Sequence, residues 1–172
     1  MKKIISLYIL ILPFSLLAQN SCDILIRNGR IIDGTGNSWY YGDVAVKDGK
    51  IIATGRLNNY TASKIIDASG LVVAPGFIDV HGHIESGIFQ RPGADNYIYD
   101  GVTTVITGNC GSSAGNIREF FRRLDSLKPS INVASLIGHN TVRSQVMNRE
   151  NRAPSTEEQA RMEALVEQAM KD

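Results

Sequence analysis

From Gly76 onward the chain alternates short apolar β-runs with helical periods, and no other feature restricts its fold so strongly. Phe77-Ile78-Asp79-Val80 reads as a strand ending at His81. Val102–Thr107 reads as a second, rich in β-branched residues, and Ile131–Ile137 as a third. Ile117, Phe120, Phe121, Leu124 and Leu127 recur at helical spacing, with Arg118, Arg122, Arg123 and Asp125 largely opposite, until Lys128-Pro129 ends the period. Ser155-Thr156-Glu157-Glu158 has the pattern of a capping box and opens a helix whose apolar side is Met162, Leu165, Val166, Ala169 and Met170. Strands that alternate with helices pair in parallel through right-handed crossovers. Three such strands leave two apolar edges unpaired, and a closed eight-stranded barrel needs about 250 residues. The expectation is an α/β chain whose residues 76–172 form the first three βα units of a larger, truncated (β/α)8 barrel. A self-contained three-stranded α/β domain is the rival.

Residues 19–75 carry a different grammar. Asp23–Arg27 runs into Asn28-Gly29 and emerges as Arg30–Asp33, and Asp43–Lys47 runs into Asp48-Gly49 and emerges as Lys50–Ala53. Asn-Gly and Asp-Gly between apolar runs are strong hairpin signals, because both turn positions need positive φ. Two hairpins predict a small antiparallel β-domain, to which Ile65-Ile66 and Leu71–Val73 add strands around a Ser69-Gly70 turn. Before it, Met1-Lys2-Lys3 leads into an apolar run from Ile4 to Leu17 and a small residue, Ala18. Charged start, apolar middle and small-residue exit are the parts of a secretory signal, and the run is short for a bilayer span of about 20 residues. Residues 1–18 are thus expected to direct export to the periplasm or beyond, with no membrane span left after their removal.

Eighteen basic and seventeen acidic residues give a net charge of +1, which excludes wholesale binding to nucleic acid. Only two cysteines are present, too few for a disulfide framework. Cys22 lies just past the signal, but Gln19-Asn20-Ser21 is a poor lipoprotein-processing site, so Cys22 reads as a strand-start residue.

The chemistry concentrates at the ends of the three parallel strands. Alternate residues on a strand point the same way, so His81 and His83 aim two imidazoles together across Gly82. Imidazole suits zinc, and barrel enzymes build their sites at the carboxyl ends of strands. Cys110 ends the second strand within Gly108-Asn109-Cys110-Gly111; alone it reads as a structural thiol, the commonest role of a free cysteine, or as a nucleophile, and beside the two histidines it reads as a ligand. His139 ends the third strand and could face the site, and Arg143 could hold a carboxylate; a loop cap and a solvated cation are the plainer alternatives. Asp79 and Glu85 flank the histidine pair, Asp79 either orienting a ring or pairing on the surface.

Taken together these segments resemble the metal-dependent amidohydrolase superfamily, and within it the D-aminoacylase (N-acyl-D-amino-acid deacylase) family. The resemblance is carried by Asp23–Gly36, by Pro75–Asp79 with His81-Gly82-His83, by Gly101–Val105 ending in Gly108–Gly111, and by Gly138–Arg143. It implies a hydrolase with one or two zinc ions that cleaves the amide of a small-molecule N-acyl-D-amino acid by means of an activated water. His81 and His83 would ligate one metal position and Cys110 a neighbouring, tighter one, while Asn109, Asp79, Glu85, His139 and Arg143 would line the substrate or support the ligands. The family's catalytic aspartate and two further histidine ligands fall on later strands, beyond Asp172, so the 172 residues are expected to be inactive alone. A dihydroorotase-, prolidase- or dipeptidase-like hydrolase, or a non-catalytic secreted fragment, are the alternatives.

Overall fold

The computed structural model describes residues 19–172, and the export signal expected over residues 1–18 lies outside them. The chain divides into two compact units, with Pro75 closing the first and Gly76 opening the second.

The first unit is a five-stranded sheet. Its strands are β1 (Asn20–Ile31), β2 (Tyr40–Lys47), β3 (Lys50–Gly55), β4 (Tyr60–Asp67) and β5 (Val72–Val73), in the order β3-β2-β1-β4 with β5 also beside β1. Asp48 and Gly49, at φ 51° and 71°, make the two-residue turn between β2 and β3 that the Asp-Gly signal predicts. Asn28-Gly29 does not turn the chain. Asn28 does take a positive φ of 63°, but the residues bulge a single continuous β1, with one extra residue between Ile26 and Gly29 set against β2. Nor is the sheet wholly antiparallel, because β4 and β5 both run parallel to β1.

The bulge is where β1 changes neighbours. Residues Asn20–Arg27 pair with β4, whereas Arg30 and Ile31 pair with β5. Asp43, nearly buried on β2, fastens the bulge: its Oδ1 accepts the Asn28 N–H at 3.0 Å and its Oδ2 the Leu57 N–H at 3.2 Å. The Asn28 side chain donates to Asp67 Oδ1 at 3.0 Å, on the strand beyond. A long-range carboxylate thus turns a local hairpin signal into a kink. Beneath the sheet pack Cys22, Leu25, Ala45 and Leu57. Cys22 is a buried free thiol whose Sγ lies 3.4 Å from the Thr61 carbonyl.

The second unit is a three-stranded parallel sheet, β6 (Phe77–Asp79), β7 (Val102–Thr107) and β8 (Asn132–Ser135), in that spatial order. Its helices are α1 (Gly87–Gln90), α2 (Asp95–Ile98), α3 (Ile117–Leu127), α4 (His139–Met147) and α5 (Thr156–Ala169). Val105, fully buried on the central strand, packs with Ile84, Ile88, Ala94, Phe120, Leu124 and Ile131. The expected periodicity of α3 holds, since Ile117, Phe120 and Leu124 are its buried residues. On the edge strands and just past them, Phe77, Ile78, Val80 and Leu136 are exposed.

Two features of this unit depart from the sequence expectations. The stretch from His139 is a helix rather than a strand end with a loop, because the distant Gly111 carbonyl receives its first N–H groups. On α5, Val166 and Met170 are exposed, while Met162, Leu165 and Ala169 are half-buried, so the apolar side is narrower than its composition implies. Among the described residues no helix is long and apolar enough to cross a membrane.

If left-handed geometry at Asn28 defines the bulge, Asn28→Val should destabilise the β-unit by about 1–2 kcal/mol. Asn28→Gly, which keeps the N–H and tolerates positive φ, should cost clearly less; chemical denaturation of both variants provides the comparison.

The capping box of α5 carries a second expectation. The Ser155 side chain accepts the Glu158 N–H at 3.2 Å and the Glu158 carboxylate accepts the Ser155 N–H at 2.8 Å. Hydrogen bonds from Arg152 hold the Glu158 carboxyl down to about 2, from an ordinary value of 4.5. A depressed pKa stabilises the folded form fully above the unfolded value and loses that stabilisation as pH falls. Protection factors of the amides in the first turn of α5, corrected for the intrinsic rate at each pH, should therefore hold to about pH 4.5 and fall between there and about pH 2.

Candidate metal centre

β6 stops at Asp79, whose carboxylate shapes the turn leaving the strand: Asp79 Oδ1 accepts the His81 N–H at 2.9 Å. His81 and His83 therefore lie in that turn rather than on the strand. Their rings nonetheless lie together edge to face, with centroids 5.4 Å apart and planes 66° from parallel. Gly82 between them is buried against the central strand. Its N–H donates to the Ile106 carbonyl at 2.9 Å, and a Cβ there would overlap the Val105 side chain. Only glycine lets this turn lie so flat on β7.

Cys110 occupies the corresponding turn after β7. Its φ is 55°, in the left-handed region that non-glycine residues seldom adopt, and strain of that kind gathers at functional sites. Its Sγ lies 3.2 Å from His81 Nε2. One ligand-type atom each from His81, His83 and Cys110 falls within a mutual 4.8 Å. Around a tetrahedral zinc, nitrogen and sulfur ligands at about 2.0–2.3 Å stand roughly 3.3–3.8 Å from one another. The spacing and the soft, nitrogen-and-sulfur donor set therefore fit such an ion, and all three side chains are exposed enough to be reached.

The two turns are fastened together. Asn109 Nδ2 donates to the Ile106 carbonyl at 2.9 Å and reaches the Gly82 carbonyl at 3.4 Å. Glu85 Oε1 accepts the Gly108 N–H at 2.9 Å. Burial pushes the Glu85 carboxyl up, but hydrogen bonds from Thr107, its own N–H and Gly108, together with nearby His83, outweigh that and hold it below the usual carboxylate range. Asp79, Glu85 and Asn109 thus all support the turns that present the candidate ligands.

His139 and Arg143 stand elsewhere. His139 is exposed at the first residue of α4, with Nδ1 3.5 Å from Asn140 Oδ1, and does not join the three-residue group. Arg143 Nη2 donates to the carbonyls of Glu150 and Arg152 at 2.9 and 2.6 Å, tying down the α4–α5 connection. It borders a cleft of about 1030 Å³ whose lining includes none of His81, His83 and Cys110.

The α4 helix itself depends on the Cys110 turn. Its N-cap is Gly138, which has no side chain to offer, and the Gly111 carbonyl instead accepts the N–H groups of Asn140 and Thr141 at 2.8 and 3.2 Å. Ser113 and Thr141 complete the junction, Ser113 N–H donating to Thr141 Oγ1 at 2.9 Å. Tyr97 on α2 is a further residue that sequence reasoning missed. Burial and then the Asp79 and Glu85 carboxylates push its phenol up, and its hydroxyl would stand 3.6 Å from a Cβ at Gly82. A four-residue helix has no periodicity to reveal it.

Comparison with known proteins agrees with this architecture. A D-aminoacylase of Alcaligenes xylosoxydans xylosoxydans is 37% identical over 171 residues, covering 86% of this chain and 35% of its own. The structure of N-acyl-D-glutamate deacylase from Bordetella bronchiseptica holds zinc and a phosphonate that mimics its tetrahedral intermediate. It superposes with a TM-score of 0.83 at 37% identity, over 88% of this chain and 37% of that one. A D-aminoacylase structure concerned with a binuclear metal centre gives a TM-score of 0.82 at 31% identity, over 87% and 36%. The chain spans 35–36% of the length of the curated deacylases it matches. Residues 64–172 match the amidohydrolase family as a whole. With two imidazoles and a thiol gathered at the ends of parallel strands, and that match extending over most of its length, this chain belongs to the amidohydrolase family.

Proposed function

We propose that this chain contributes the first metal ligands of an exported zinc-dependent deacylase that hydrolyses the amide of N-acyl-D-amino acids. The observation that carries the proposal is the convergence of His81, His83 and Cys110 within 4.8 Å at two neighbouring strand ends. Its chemical class is supported by the deacylases to which the chain is similar.

One or two zinc ions bound there would lower the pKa of a water ligand toward 7 and polarise a scissile carbonyl. The chain's own residues do the positioning. Asp79 sets the backbone at His81, Gly82 seats both imidazoles against β7, and the left-handed backbone of Cys110 places the thiol beside His81 Nε2. A thiolate and two neutral imidazoles supply a single negative charge. Three such ligands leave positions on a tetrahedral or larger coordination sphere open to water and to further donors.

In the complete zinc-loaded protein, N-acetyl-D-amino acids with acidic or apolar side chains should release acetate and free amino acid, the L-enantiomers should not, and a chelator should abolish release. Absence of turnover on every D-substrate in the presence of zinc would overturn the proposal. Cys110→Ala should lower the zinc content of the purified complete protein, measured by elemental analysis. An unchanged content would point to an amidohydrolase that bridges its metals with another group, such as a modified lysine.

A further inference from the structure

We propose that Glu85 is the positioning residue of this centre: its carboxylate ties the His81–His83 turn to the Gly108–Cys110 turn and thereby sets the Cys110 thiol against the imidazoles. The inference rests on the ligand set proposed above.

Cys110 gains its place from backbone that does not adopt that shape by default. Gly108 and Cys110 both take positive φ, 82° and 55°, within three positions. Gly108 is also pressed against the Leu136 backbone, where a Cβ would overlap the carbonyl. Its buried N–H needs an acceptor, since an unpaired buried donor costs about 1–3 kcal/mol. Glu85 Oε1 is that acceptor at 2.9 Å.

The carboxylate is itself held. Thr107, fully buried on β7, accepts the Ile84 N–H at its hydroxyl at 3.4 Å, and its side chain helps to hold the Glu85 carboxyl below the usual range. The path from Ile84 to Thr107, and on from Glu85 to Gly108, spans the two turns. It begins one residue past His83 and ends two residues before Cys110. The other strap, Asn109 to Gly82, is long at 3.4 Å. Without Glu85, and apart from the His81–Cys110 contact itself, only that long strap would join residues 108–111 to the His81–His83 turn. Residues that orient metal ligands in this way typically change affinity by 10–100-fold when removed.

The test uses the complete protein. Glu85→Leu removes the acceptor, Glu85→Gln keeps an oxygen for Gly108, and Thr107→Val removes, with little change of shape, the hydroxyl that receives the Ile84 N–H and helps to hold the Glu85 carboxyl down. Three quantities are read: zinc affinity, the thiolate-to-cobalt charge-transfer band after cobalt substitution, and the rate at which the metal-free protein reacts with a disulfide reagent. Cys22 is buried, so that rate reports Cys110. Expected are a loss of about 10–100-fold in zinc affinity with a weakened cobalt band and an altered thiol rate for Leu, a smaller loss for Val, and values close to the parent for Gln. Leu and Val variants with the parent's band and affinity would overturn the proposal, as would a Gln variant as impaired as Leu. Should Leu fail to fold, Val and Gln decide. A parent protein that itself shows no sulfur-to-cobalt band would refute Cys110 as a ligand and leave the tether to be judged on the thiol rate alone.

Discussion

The second unit depends on how two strand-end turns lie against each other. β6 is only three residues long, so few ladder bonds hold it to β7. Its exit is fixed instead by the seat of Gly82 on the central strand, with a backbone hydrogen bond to Ile106 and no side chain to lift it off Val105. The chemistry is built around that seat. The two imidazoles leave the chain on either side of it, Asn109 and Glu85 fasten the next turn to it, and the Gly111 carbonyl beyond Cys110 starts α4. A single close approach thus couples the candidate ligands to the packing of β7, β8 and a helix.

The first unit uses a similar device for a structural end. Asp43 accepts backbone N–H groups from Asn28 and Leu57, segments that lie far apart in sequence, and so fixes the kink at which β1 exchanges one parallel neighbour for another. In both units a carboxylate that accepts backbone N–H groups holds a left-handed stretch of chain in place. The reason is common to both: positive φ breaks the regular ladder, and the donor it orphans must be satisfied by a side chain.

The contrast between Asn28-Gly29 and Asp48-Gly49 shows how far local signals reach. Both pairs adopt the positive φ that their residue types favour at the first position, so the local conformation was legible. Whether the chain then reverses is not encoded by two residues. Asp48-Gly49 closes a tight hairpin because β2 and β3 pair directly across it, whereas Asn28 is bonded outward to Asp43 and Asp67 on both flanking strands and the strand runs on. The helices repeat the lesson. α3 announced itself through its apolar period and its Lys128-Pro129 stop, and α5 through Ser155 and Glu158. α4 buries only Val142 and Met147 and takes its cap from Gly111, far upstream of its N-cap Gly138, so its start carried no local mark.

For the candidate site, the sequence by itself determined the donors: two histidines separated by a glycine, a cysteine bracketed by glycines, and apolar runs that place each at a parallel strand end. Residue chemistry and short-range periodicity are local properties, and they survive in any fold that keeps the strands. Tertiary structure alone decided that Cys110 approaches His81 to 3.2 Å while His139 is turned to a helix start and Arg143 to the carbonyls of the α4–α5 connection. Those placements depend on which backbone donors and acceptors meet across strands tens of residues apart, and no spacing along the chain specifies them.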